Sequence, residues 1–180
     1  IFTVNLSQGI LQFHFGDINK ALDYLVAAEK DEDTVIASPN VPVMIFYLAL
    51  AYINYAKVNS KKKNPLNLRK INQNKKRLKF WSKHCPENYL HKYFLVEAEL
   101  ASLQNKEKEA KQFYDLAILH ARKNEYLQEE ALSWELAGNF FSNSNEILAE
   151  VYLQKAYTCY LKWGSFAKTK FLEQKYPYFI

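Results

Sequence analysis

Three times this chain sets an alanine, a large apolar residue and an alanine at spacings of four and then three: Ala21/Leu25/Ala28, Ala110/Tyr114/Ala117 and Ala149/Leu153/Ala156. On a helix those positions share one stripe. The small residues are notches that let a neighbouring helix approach closely. A chain that repeats such a notch is built to pack helix on helix. The punctuation agrees, because only 4 glycines and 5 prolines occur in 180 residues. A sandwich or barrel needs a turn signal about every 8–12 residues. Hydrophobic residues at 49% and aromatics at 16% exclude disorder, low complexity and collagen.

Apolar periodicity predicts helices over 4–15, 18–30, 43–58, 66–84, 86–103, 106–123, 126–141, 146–163 and 166–176. Asp17 is the expected N-cap of the second helix, and Asn105 and Gly164 are expected ends of later ones. The stretch 43–56 is apolar nearly all round and reads as a central helix, too short to span a bilayer. The expected organisation is one helical domain over 1–180. It comprises a first hairpin and apolar helix (1–58), a basic linker and helix (59–86), and two regular units with a capping helix (87–176).

The net charge of +5 hides an uneven distribution. Residues 34–86 contain no acid and 11 Lys or Arg, whereas the remainder of the chain is net acidic. Lys61, Lys62, Lys63, Lys75, Lys76 and Arg77 form the candidate basic patch. Such a block suits phosphates, an anionic surface or an acidic neighbour, and equally a solvated helix face. Two separated cysteines, Cys85 and Cys159, fit a reducing compartment. With no secretory leader in the opening IFTVNLSQG, a soluble, cytoplasmic setting is expected. The absence of an initial Met leads us to expect a piece of something longer.

Motifs that carry chemistry are missing. The four glycines are isolated, and neither GxxxxGK[ST] nor GxGxxG occurs. His84, Cys85 and His91 offer zinc-type donors without a fourth partner at metal-site spacing. Glu129/Glu130 and Glu97/Glu99 diverge around their helices rather than face one another, as acid/base pairs must. No enzyme activity, cofactor or metal is expected of this segment.

The alanine/large/alanine triplets, with Ala98 and Ala137 each twelve positions before the next triplet, resemble the tetratricopeptide repeat, although the last two units lie 39 residues apart. The longer runs WSKHCPENYLHKYFLVEAELASLQ, AKQFYDLAILHARKNEYLQEEALSWELAGNFF and AEVYLQKAYTCYLKWGSFAKTKFLEQKYP resemble more than a generic repeat. Over about 41–176 the chain is similar to the helical-repeat region of large bacterial signalling proteins. There the repeats follow serine/threonine kinase and AAA-type ATPase modules and precede a GAF sensor and often a histidine kinase. HCPEN (84–88), FLVEAEL (94–100), LQEEAL (127–132) and YLKWG (160–164) carry the likeness. The resemblance implies an all-α, right-handed superhelix of tetratricopeptide-like hairpins, about eight helices. It also implies a non-catalytic protein-interaction role beside ATPase and sensor domains. In such an array Lys92, Leu95, Glu99 and Ser102 would point into a concave groove from one unit. Trp134, Gly138 and Phe141 would do so from the next, ready for a peptide or helix of the same or another chain. Nucleic-acid or anionic-surface binding through 57–83 is the competing expectation.

Overall fold

The computed structural model describes residues 1–35, 38–59 and 65–180. Among them are nine α-helices and one short 3₁₀ turn, and no strand. The chain divides into two compact units, Ile1–His84 and Cys85–Ile180, where the sequence predicts one array. The division falls where Cys85 (φ −142°, ψ 73°) leaves helical geometry and Pro86 starts the next helix.

The first unit holds α1 (Phe2–His14), α2 (Ile18–Lys30), the 3₁₀ turn Glu32–Val35, α3 (Asn40–Val58) and α4 (Pro65–His84). Helix α3 is its centre, packed by α1, α2 and α4. Met44, Ile45, Phe46, Leu48, Ala49, Leu50, Ala51 and Ile53 are all fully buried, which is what an all-round apolar helix requires. It starts earlier than its sequence signal. Pro42 is its third residue, a position whose amide has no helical acceptor to lose. At 19 residues α3 has the length and hydropathy to cross a membrane, contrary to the shorter span read from sequence. Burial inside the unit accounts for its apolar character.

The second unit holds α5 (Pro86–Leu103), α6 (Glu107–Lys123), α7 (Leu127–Phe141), α8 (Glu146–Trp163) and α9 (Phe166–Lys175). Helix α5 packs on α6, α6 on α7, α7 on α8 and α8 on α9, while α5 also touches α7. All nine residues of the three triplets have 0% exposure. The turns repeat too. After α1, α5, α6 and α8 a residue takes positive φ: Gly16 (87°), Asn105 (56°), Glu125 (62°) and Gly164 (80°). The next amide then reaches back five residues: Asp17 to Gln12, Lys106 to Ala101, Tyr126 to Ala121 and Ser165 to Tyr160, at 3.0, 2.9, 2.9 and 3.0 Å. This is the Schellman closure of a helix end.

Opposite the central residue of two triplets the partner helix makes room. A Cβ on Gly138 of α7 would lie 2.7 Å from Leu153 Cγ, and one on Gly9 of α1 would lie 2.6 Å from Leu25 Cγ. Where the central residue is Tyr114, Glu99 faces it and accepts its hydroxyl. Gly138→Ala is therefore expected to destabilise the second unit by about 1–3 kcal/mol, because overpacking exceeds the helix-propensity gain of about 1 kcal/mol. Adding Leu153→Ala should make that same Gly138→Ala change neutral or stabilising, measured by urea denaturation as a double-mutant cycle.

Candidate functional site

The residues expected to line a groove converge in the second unit, but they face other helices. Lys92, Leu95, Glu99, Ser102 and Phe141 are 1–7% exposed, and Trp134 is half-buried. The placement of these side chains on an open concave face is thus corrected: Lys92 meets Glu129 of α7, Glu99 meets Tyr114 of α6 and Phe141 meets Tyr152 of α8. Gly138 likewise faces Leu153 of α8 rather than a furrow.

Lys92 is the centre of the arrangement. Its ammonium lies 2.9 Å from Glu129 Oε1 on α7. It is also 2.8 Å from His91 Nε2 and 3.5 Å from the Asn88 carbonyl, and sits 4.5 Å from the centre of the Tyr126 ring. His91 stacks on that ring at 4.4 Å. Burial, helped by the charges of Lys92 and His120, pushes the His91 pKa down to about 2. The imidazole is therefore neutral, its Nε2 accepts from Lys92, and its Nδ1 carries the proton. Among the described residues that buried Nδ1–H has no acceptor and the buried Glu129 Oε2 has no donor. Burial also lowers the Lys92 pKa, and Glu129 opposes the shift.

Sequence reasoning missed the counterpart of this pair. Lys168 of α9 donates to Glu135 Oε1 of α7 at 2.8 Å, and Tyr160 of α8 donates to Glu135 Oε2 at 2.8 Å. Lys168 and Glu135 are only 3% and 4% exposed. Helix α7 thus sends one carboxylate to α5 and one to α9, six residues apart. The sequence spacings, 37 for Lys92–Glu129 and 33 for Glu135–Lys168, are near a repeat length, which was the one available signal.

The remaining expected residues are also engaged. Glu99 holds the fully buried Tyr114, whose hydroxyl pKa burial raises well above its ordinary value. Trp134 donates to Glu130 Oε1 at 3.3 Å, and Arg122 grips the same oxygen at 2.8 Å. Phe141 stacks on Tyr152 at 5.8 Å.

In the first unit, Lys61, Lys62 and Lys63 lie outside the described residues. Lys75 and Lys76 sit on α4, half-buried and exposed respectively. Arg77 is tied to Glu32 (Nη1–Oε2 3.0 Å) and covers Trp81 at 5.2 Å, so its charge is compensated. Lys70 is paired with Glu29 at 2.9 Å. The His84 ring lies 4.6 Å from that of Phe80, tilted by 56°. Cys85 is the residue before α5 and half-buried. Among the described residues no group of three or more His, Cys, Asp and Glu is placed to hold a metal ion. An open cleft of about 410 Å³ is lined by Phe15, Asp17, Asn19, Tyr55, Val58 and Asn59. Its carboxylate, Asp17, is already used by the Lys20 amide at 3.1 Å and the Lys20 ammonium at 2.9 Å.

The chain matches no family model, no curated protein and no solved structure.

Proposed function

We propose that this chain is a non-catalytic interaction domain of a cytoplasmic multidomain signalling kinase-ATPase. In this reading its tetratricopeptide-like hairpins wind as a right-handed superhelix and hold neighbouring domains or a partner segment. The observation that carries the reading is repetition: one helix-end closure used four times, one buried alanine/large/alanine stripe used in three hairpins, and one glycine notch used in two. Repeated hairpins of this kind stack into extended surfaces, and such surfaces serve recognition. The signalling context rests on the resemblance of the quoted runs alone.

Because the expected groove side chains are consumed between helices, the partner meets outward faces instead. Ile147, Val151 and Leu161 are exposed on α8 at 79%, 47% and 40%, and Phe80 is 61% exposed on α4. Photocrosslinking residues placed singly at Phe80, Ile147 and Phe166, in the cells that make the protein, test the proposal. The expected result is one protein or one domain recovered from at least one of these positions and not from a control at exposed Lys108. Identical recovery from all positions, or substrate turnover by the purified chain, would overturn it.

A further inference from the structure

The cations of α4 that no acid compensates form an ordered file. Arg69, Lys76 and Lys83 are exposed, and none has an ion pair among the described residues. Seven residues apart, they drift only about 20° per step around the helix and rise about 10.5 Å from one to the next. The file lies opposite the buried Ile71 and Leu78. Lys79 flanks it on one side, exposed as well. On the other side is Phe80, 61% exposed, with the His84 ring 4.6 Å away. The carboxylates of Glu29 and Glu32, which do reach α4, are spent on Lys70 and Arg77. No residue in 34–86 can supply another.

We propose that this face docks an acidic amphipathic helix of a partner protein. Its carboxylates recur every seventh residue, and an apolar side chain between them rests on Phe80. Phe80, exposed beside the file, decides among anionic partners. A second helix presents groups one heptad apart at the same rise of about 10.5 Å, so three cations meet three anions in register. Every third phosphate of one duplex strand also recurs at about 10.2 Å, but a lone exposed ring is a poor platform for successive bases and suits an apolar side chain. The proposal rests on the interaction-domain reading above and names its partner class at α4.

The test is fluorescence anisotropy of the full chain with a labelled helical peptide about three heptads long, with Glu at each seventh position and Leu beside it. A peptide of the same composition with Glu at five-residue spacing, an oligothymidylate and phosphatidylserine vesicles serve as the other probes. The heptad peptide is expected to bind at least about tenfold more tightly than its respaced form, with affinity falling as salt rises. Lys76→Glu with Lys83→Glu should weaken it about tenfold or more, Lys76→Ala with Lys83→Ala less, and Phe80→Ala should weaken it at any salt concentration. Lys108→Glu should leave it unchanged. Equal binding of the two peptides, or tighter binding of the oligonucleotide or vesicles that the same charge reversals abolish, overturns the proposal. If the peptide fails while crosslinks from α8 still recover a partner, the α4 assignment fails and the interaction-domain reading stands.

Discussion

Replacing Glu129 by glutamine, or Lys92 by methionine, lowers the stability of the Cys85–Ile180 unit by about 3–5 kcal/mol. The reason is the accounting of a buried charge. Lys92 and Glu129 have side chains only 4% and 7% exposed. Each ion gave up hydration on folding and is compensated by the other, with His91 Nε2, the Asn88 carbonyl and the Tyr126 ring also facing the ammonium. Glutamine at position 129 keeps the shape and removes the anion, stranding an ammonium inside. The double replacement Lys92→Met with Glu129→Leu removes both charges and the desolvation cost with them, so it should recover most of the loss. Chemical denaturation of the native chain, Glu129→Leu, Lys92→Met and the double variant closes the cycle, with Glu129→Gln measured beside them. A control is available at Lys106–Glu109, 3.3 Å apart with side chains about half exposed, where removing one partner should change stability by less than about 1 kcal/mol. If Glu129→Gln costs no more than that control, the pair is not the cement that joins α5 to α7.

What the sequence made legible is what a single helix or a single turn decides. The triplets identified buried faces correctly because a 3.6-residue period is a local property. The bounds of α2, α5 and α8 follow the expected ones, since Asp17, Pro86 and Gly164 act on their own neighbours. The candidate groove failed for the opposite reason. Periodicity says that Lys92, Glu99 and Phe141 share faces with apolar residues, but not that α7, α6 and α8 respectively will meet those side chains. Charge at Lys92 read as exposure, yet its partner Glu129 lies 37 residues on and has no local signature. Gly9 and Gly138 read as isolated glycines because the Leu25 and Leu153 side chains that exclude a Cβ belong to other helices. Glu125 carries positive φ with no residue-type signal at all, and only the repeated turn explains it. On α4, composition showed the basic block but not which cations are spent. That needed Glu29 and Glu32 to arrive from α2 and the 3₁₀ turn.

Acid sensitivity of the second unit is expected to trace to His91. Its ordinary pKa is 6.5 and burial beside Lys92 and His120 holds it at about 2 in the folded chain. Below pH 6.5 the unfolded chain takes up a proton at this ring and the native one does not. Stability therefore rises with pH across that window and is lost as pH falls from 6.5 towards 2, at up to about 1.4 kcal/mol per pH unit. By pH 4 the loss from this one group reaches about 3 kcal/mol. Gln at position 91 offers an acceptor to Lys92 and cannot titrate, so His91→Gln should flatten the profile between pH 6.5 and 4 relative to the native chain. Denaturation midpoints at several pH values give the comparison directly. The neighbouring groups Tyr126, Asn88 and Glu129 are retained in both proteins, which leaves the imidazole as the difference. Lys92→Met supplies the second arm. Removing that cation takes away one cause of the depressed pKa, so His91 should protonate at higher pH in the folded state and the acid-linked loss should shrink. A native chain whose stability between pH 6.5 and 4 is indifferent to His91→Gln would mean the ring is hydrated, and that α5 and α7 do not close over it.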